Sequence, residues 1–228
     1  MKPFIFMKRN GIHIIDLAKT LECMETARNA IVEKVRRGEK VLFVCTKRQG
    51  RDIVREEAQR AGMFYVTERW LGGTLTNLQT IRHSVRTLED IERMSEDGTY
   101  ELISKKERLQ HERKRAKLLK VLEGIRGMDR LPGFVFVIDT RREKIAVNEA
   151  NKLDIPIVGV VDTNADPGLI EYPIPGNDDA IRSIRLFSSF VADCVLEAAT
   201  ATREGREPEE AMMAAEAASE PTPAEPAA

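Results

Sequence analysis

The sequence predicts an α/β fold in which a parallel β-sheet carries helices on both faces. Three apolar runs, residues 41–45, 134–138 and 155–161, show no alternation with polar residues, as expected of strands buried on both faces. Segments with the apolar spacing of helices lie between the strand-like runs, and glycines end several of them. This alternation of strands and helices is typical of a parallel sheet.

The other elements follow from the same periodicities. In chain order they are a strand at 12–15, a helix from 17 to about 35, a strand at 41–45, a helix over about 47–61, a strand at 64–66, two long helical patterns, a strand at 134–138, a helix ending near 153, a strand at 155–161 and a helix from about 181.

The two long helical patterns interrupt the α/β order. About 67 residues separate the strands near 64 and 134, far more than one crossover needs. The sequence SEDGT at 95–99 breaks the helical spacing. We therefore expect an α/β domain over 1–200, interrupted at 76–126 by an antiparallel helical hairpin, a coiled coil that projects from the sheet.

Charge is distributed unevenly along the 228 residues. Formal net charge is −1, but residues 201–228 hold seven glutamates and two arginines, so residues 1–200 carry +4. Ala, Glu and Pro make up 20 of those last 28 residues, which predicts a disordered acidic tail. A basic body favours a polyanionic partner, although an ordinary solvated surface explains the same balance.

Composition also limits the cellular location. The three cysteines lie far apart without a C-x-x-C pair, which is typical of reduced buried thiols. Neither a membrane-spanning apolar run nor a signal peptide is present in the sequence. We therefore expect a cytoplasmic protein with no membrane partner.

A loop with two glycines raises the possibility of a nucleotide site. The stretch ERWLGGTLTN at 68–77 holds the only tryptophan and the only Gly-Gly pair. It matches neither phosphate-loop template, and residues 76–79, TNLQ, match a helix capping box instead. The glycines are therefore interpreted as a tight turn before a helix.

An enzyme remains the alternative interpretation. Asp139 and Asp162 end two apolar runs, and Asp166, Asp178 and Asp179 follow. Carboxylates at the carboxyl ends of parallel strands can hold Mg²⁺ or bind a nucleotide, but aspartates are also common in turns and helix caps. No nucleophile motif is recognisable, and neither a cofactor nor a metal is predicted.

Pairs of cations follow three predicted helix caps. The boxes TKRQ at 46–49, TRRE at 140–143 and SKKE at 104–107 each place two cations in a first helical turn, where the helix dipole favours anions. Free N–H groups and cations together bind phosphate. The predicted phosphate contacts are Lys47, Arg48, Lys105, Lys106, Arg141 and Arg142, unless these side chains are simply solvated.

The second inserted helix adds to the basic surface. Residues 104–120 hold eight basic and two acidic side chains, a stripe that suits a sugar-phosphate backbone. The further predicted contacts are Arg69, Arg113, Lys114, Arg115 and Lys117. A charged face on a plain coiled coil is the alternative.

Six ordered motifs resemble the bacterial small-subunit ribosomal protein two family. They are RNGIHIID at 9–16, FVCTKRQ at 43–49, RWLGGTLTN at 69–77, LPGFVFVID at 131–139, VDTNADP at 161–167 and YPIPGNDDAIR at 172–182. The resemblance covers residues 1 to about 198. It implies a flavodoxin-like domain and a structural protein without catalysis. The implied partners are small-subunit rRNA, other small-subunit proteins and ribosomal protein one, which this family helps to dock for translation initiation.

The chain departs from the family pattern at its start. Family members usually begin with a further segment containing Gly-His and Trp-Asn-Pro-Lys-Met, whereas this chain opens at Met-Lys-Pro. The resemblance therefore implies an N-terminally shortened member, through either a late start or a loss of that segment. An exposed Phe4-Ile-Phe6 is expected there.

Overall fold

The computed structural model describes residues 1–101 and 103–217, with backbone alone for residue 101 and for 202–217. Its strands in this part are β1 Ile5–Arg9, β2 Ile12–Ile15, β3 Val41–Val44, β4 Phe64–Val66, β5 Phe134–Ile138, β6 Ile157–Val161 and β7 Tyr172–Pro175. Its α-helices are α1 Leu17–Arg36, α2 Arg51–Arg60, α3 Leu78–Glu96, α4 Lys105–Leu122, α5 Lys144–Lys152 and α6 Ile181–Ala217.

The central sheet has five parallel strands in the order β4-β3-β5-β6-β7. This order is that of flavodoxin-like proteins, so the predicted α/β, flavodoxin-like fold is confirmed. The strand order reverses between β3 and β5, and such a reversal opens a crevice at the carboxyl ends of the strands. The loops after β3 and β5 therefore line the crevice in which proteins of this fold usually bind ligands.

The core has two layers, one on each face of the sheet. On one face, Phe43, Phe136 and Val158 pack against α1, α2 and α6. On the other, Leu42 and Val135 pack against α5 and the first turns of α3. Every residue of β3, β5 and β6 is buried, which is why these strands lack alternation in the sequence.

Two predictions about strands were incomplete. The strand at 12–15 does not join the sheet but pairs antiparallel with β1, and Asn10 and Gly11, both at positive φ, make the two-residue turn between them. The edge strand β7 was not predicted because prolines at 173 and 175 remove two N–H donors from a short run. An edge strand tolerates such residues.

Three of the four predicted capping boxes were wrong. Only Ser104 and Glu107 form one, at the start of α4. Helix α2 begins at Arg51, α3 at Leu78 and α5 at Lys144, so each begins two to five residues after its predicted cap. The hydroxyls of Thr46 and Thr76 bond instead to carboxylates more than 70 residues away in the sequence.

The inserted segment forms two helices that contact each other, with Arg115 of α4 lying 3.3 Å from Glu92 of α3. Its description as a projecting coiled-coil hairpin and the domain boundaries stay predictions. The disorder predicted for 201–228 stays a prediction as well. The backbone of α6 runs helically to Ala217, whereas residues 218–228 lie outside the described part.

Candidate nucleic-acid interface

An ion cluster around the largely buried Lys47 lies in the crevice where the strand order reverses. The Lys47 ammonium lies 2.6 Å from Asp179, 2.9 Å from Asp178 and 3.3 Å from Asp139. Its side chain is only 11% exposed. Burial lowers the pKa of Lys47, but the hydrogen bonds that its ammonium donates to Asp179 and Asp178 outweigh burial, and the net pKa is raised. Lys47 therefore holds three loops of the protein together.

The same cluster accounts for the aspartates that raised the enzyme alternative. Asp162, Asp178 and Asp179 lie together with oxygens within 4.8 Å of one another, a spacing that suits a cation. The ammonium of Lys47 already contacts two of these three carboxylates. Burial raises the pKa of Asp178 above its ordinary value, although its hydrogen bond with Lys47 opposes this. The cluster is thus a partly neutralised ion group with Asp179 on its exposed side.

Glu143 joins the loops after β3 and β5. Its carboxylate accepts hydrogen bonds from the backbone N–H of Thr46 at 2.8 Å and from the Thr46 hydroxyl at 2.5 Å. Burial raises the pKa of Glu143, and these bonds only partly oppose the rise. The Arg142 side chain donates to the same hydroxyl, so Arg142 is held against the body of the protein.

The Trp-Gly-Gly loop is held by a single carboxylate. Glu149 of α5 accepts bonds from the Trp70 indole N–H at 3.0 Å, from the N–H groups of Gly73, Leu75 and Thr76 at 2.8–3.1 Å, and from the Thr76 hydroxyl. Burial raises the pKa of Glu149, but the hydrogen bonds outweigh burial and lower it. Trp70 is buried, so the loop is a structural joint, and residues 72–73 form its turn.

Sequence reasoning did not identify the role of Glu149. The available signal was an acidic residue among the apolar positions Ala146, Ala150 and Leu153. A carboxylate on a buried face requires several donors. Its partners were not predictable because they lie more than 70 residues away.

The other predicted contacts divide into free and paired cations. Across residues 1–100 and 103–201, whose side chains the structure describes, eight of them are exposed and have no ion pair. They are Arg48, Arg69, Lys105, Lys106, Arg113, Lys114, Lys117 and Arg141. Arg115, by contrast, pairs with Glu92. We call the eight residues the free cations.

Three of the free cations share one edge of the sheet. Arg48, Arg69 and Arg141 follow β3, β4 and β5, and these are neighbouring strands in the order β4-β3-β5. Because the strands are parallel, their carboxyl ends lie side by side. The other five free cations lie on α4, in the insertion that leaves the sheet from this same edge after β4.

Comparison with known proteins decides between a structural protein and an enzyme. A family model described as Ribosomal protein S2 matches residues 1–198. A "Small ribosomal subunit protein uS2" of Chloroherpeton thalassium is 53% identical over 96% of this chain and 88% of its own length. A protein of the same name from Geotalea uraniireducens is 57% identical over 86% of this chain and 77% of its own length. The chain belongs to the ribosomal protein S2 family.

Membership of the S2 family confirms the resemblance carried by the six motifs. Proteins of this family are structural constituents of the ribosome and not enzymes, so the alternative that Asp139 and Asp162 serve catalysis is excluded. A ribosomal constituent works in the cytoplasm. No helix within the described residues has the length and apolar character needed to cross a membrane.

An apolar groove lies on the same edge of the sheet as the three arginines but farther along it, beside the carboxyl ends of β6 and β7. It encloses about 620 Å³ between β2, α1 and α6, and Ile14, Leu17, Leu21 and Leu186 line it with exposed side chains. Leu17 is 73% exposed and Leu21 62%. A contiguous patch of large aliphatic side chains on a soluble surface is typical of a protein-binding site.

Proposed function

We propose that this S2-family chain is a structural constituent of the small ribosomal subunit that binds rRNA through the free cations and helps to dock ribosomal protein one. Family membership supports the role in the small subunit. The observation that supports rRNA binding is that eight of the predicted contacts are exposed cations without an ion pair in the described part of the chain. Not every surface cation is free in this way, because Arg28 and Arg60, for example, are paired with carboxylates.

Unpaired cations suit phosphate better than paired ones. A cation already bound to a carboxylate must break that contact before it binds RNA, whereas a free cation gives up only water and counterions. The spacing of α4 places Arg113 and Lys117 on one side of the helix, one turn apart. Such a stripe follows a sugar-phosphate backbone without reading the bases.

Of the predicted contacts, Lys47 contributes indirectly to this proposal. Its three aspartates leave it no free charge, so it positions the loop that carries Arg48. Arg142 and Arg115 have similar supporting contacts, with Thr46 and Glu92. The proposal therefore rests on the eight free cations.

Changing Arg113, Lys114 and Lys117 together to alanine is expected to weaken binding to small-subunit rRNA. At roughly 1 kcal/mol per contact, the loss is about 100-fold for three contacts. The measurement is the affinity of purified protein for the rRNA by filter binding at fixed salt. Because all three side chains are exposed, the free energy of unfolding should stay within about 0.5 kcal/mol of the wild type.

The matched control removes three paired cations instead, through alanine at Arg28, Arg37 and Arg60, which face Glu197, Glu33 and Asp193. Both variants lose three positive charges. The rRNA affinity of the control should fall far less than that of the α4 variant. Equal losses in the two variants would mean that net charge, not the α4 stripe, determines binding.

The apolar groove supports the docking of ribosomal protein one. Asp162 lines one end of the groove and has no cationic partner among the described residues. A protein with aliphatic side chains and a lysine or arginine beside them therefore complements the groove in both shape and charge.

Serine at both Leu17 and Leu21 is expected to raise the Kd for ribosomal protein one by at least tenfold. The reason is that two exposed aliphatic side chains in one groove would lose their apolar contacts with the partner. Leu131→Ser, at an exposed leucine outside the groove, is the control. Calorimetry with the purified partner measures both, and an unchanged Kd in the double variant would rule out the groove as the docking site.

A further inference from the structure

The first fifteen residues form a basic segment without any acid. They contain Lys2, Lys8 and Arg9 but neither aspartate nor glutamate. Lys8 and Arg9 are exposed, and no ion pair involves either of them in the described part of the chain. The β1–β2 hairpin therefore carries a local positive charge that the protein itself does not neutralise, separate from the eight free cations.

An irregularity in the hairpin releases Phe6 from strand pairing. Ile5 pairs with Ile15 and Met7 with Ile14, so Phe6 is an extra residue on β1 without a partner opposite it. Such a bulge bends the strand and redirects a side chain. Phe6 is 70% exposed, and its ring contacts no other aromatic ring or cation in the described residues.

The hairpin holds these side chains in a defined order. The turn residues Asn10 and Gly11 have φ of 50° and 81°, which matches the twist of a two-residue hairpin and fixes its register. Lys8 pairs with His13 and Arg9 with Ile12. An exposed ring thus lies two and three residues before two cations on one short, hydrogen-bonded strand.

We propose that this hairpin is a contact for single-stranded RNA, in which Phe6 stacks on an unpaired base and Lys8 and Arg9 bind the neighbouring phosphates. Unpaired bases stack on exposed aromatic rings, and adjacent cations follow the backbone. The inference rests on the proposed RNA-binding function but uses residues outside α4 and the sheet edge.

Two other partners fit the hairpin less well. A protein interface with an apolar centre is depleted of lysine, whereas here Lys8 follows directly after Phe6 and Met7. An anionic membrane surface attracts cations too, but stable binding needs a larger apolar face than one hairpin offers. Single-stranded RNA fits better, because its bases can stack on the ring of Phe6 while its phosphates bind Lys8 and Arg9.

Fluorescence of a Phe6→Trp variant tests the stacking directly. The probe is a single-stranded uridine dodecamer, compared with a blunt RNA duplex that carries the same number of phosphates. Stacking is expected to quench the new indole with the single strand and not with the duplex. The wild type supplies the baseline, because its only tryptophan, Trp70, is buried in the Glu149 joint.

Affinity measurements separate stacking from charge. Phe6→Ala should weaken dodecamer binding about tenfold and leave duplex binding unchanged. Alanine at both Lys8 and Arg9 should weaken the binding of both RNAs. Leu131→Ala removes another exposed apolar side chain, outside both the hairpin and the groove, and should change neither. All of these side chains are exposed, so unfolding curves should coincide with that of the wild type.

The outcomes distinguish this inference from the proposed function. Unchanged dodecamer affinity in Phe6→Ala would overturn the stacking contact, and so would equal quenching of Phe6→Trp by anionic phospholipid vesicles. The alanine variant of Arg113, Lys114 and Lys117 should lose affinity for both RNAs. If that variant binds both RNAs normally while Phe6→Ala does not, the result contradicts RNA binding by the cations of α4 and still supports the contact at the hairpin.

Discussion

Replacing Glu149 with glutamine is expected to lower the free energy of unfolding by on the order of 3 kcal/mol. Oε1 accepts from Trp70 and Gly73, and Oε2 from Leu75 and Thr76. An amide offers only one acceptor oxygen, so its NH₂ group would face at least two buried donors. Each unpaired buried donor costs about 1–3 kcal/mol.

Urea unfolding, monitored through the fluorescence emission of Trp70, measures this loss of stability, and Trp70 itself donates to Glu149. In the variant, the native emission should shift to longer wavelength, because water reaches the freed indole. Glu25→Gln, at an exposed glutamate on α1, is the control and should change stability by less than about 0.5 kcal/mol. If Glu149→Gln is as stable as this control, the carboxylate does not hold the loop.

The stability lost in Glu149→Gln should also depend on pH. The folded-state pKa of Glu149 is lowered, so the carboxylate contributes stability above the unfolded pKa of glutamate. That contribution is lost as pH falls through the folded pKa. The gap between wild type and variant should therefore be largest near neutral pH and narrow under acid conditions. An increase of the gap on acidification would contradict the hydrogen-bonded carboxylate.

Replacing Lys47 with alanine is expected to cost about 3–5 kcal/mol of stability. The change leaves Asp139, Asp178 and Asp179 close together without their shared cation. Removing Lys47 leaves the charge of the buried Asp178 uncompensated, which is why the loss is large, whereas the exposed Asp179 contributes little. Arg48→Ala, at the exposed neighbouring cation, should leave stability within about 0.5 kcal/mol of the wild type.

The pH dependence identifies the cause of the Lys47→Ala loss. The pKa of Asp178 is already raised by burial, and it should rise further without the ammonium that lowers it. A carboxyl whose folded pKa is raised gains stability as pH falls, because the folded state then binds the proton more tightly than the unfolded state. The loss should shrink between pH 7 and pH 5, and Asp178→Asn in the same chain should recover part of it. A loss independent of pH would indicate simple packing damage.

The central strands of the sheet were predictable because a strand buried on both faces is a continuous apolar run in the sequence. Residues 41–45 and 134–138 are continuously apolar, and both segments are central strands. Edge strand β7 has no such mark, since two prolines interrupt it. The strand at 12–15 was predicted from its own residues, but its partner β1 decides which sheet it belongs to.

The helix starts were less predictable because their hydrogen bonds are not local. Thr46 and Thr76 have the sequence context of N-caps, yet Glu143 and Glu149 accept from their hydroxyls and backbone N–H groups. For the same reason Lys47 was predicted as a phosphate contact, whereas the fold surrounds it with three aspartates. Ser104 caps α4 as predicted because its acceptor and donor, on Glu107, lie three residues away.

The salt dependence of rRNA binding tests the central claim that cations without ion pairs are the RNA contacts. The logarithm of the affinity of the wild type should fall linearly with the logarithm of salt concentration. In the alanine variant of Arg113, Lys114 and Lys117, the slope should be shallower by about one per lost phosphate contact, or about three in total. A slope equal to that of the wild type would contradict the claim.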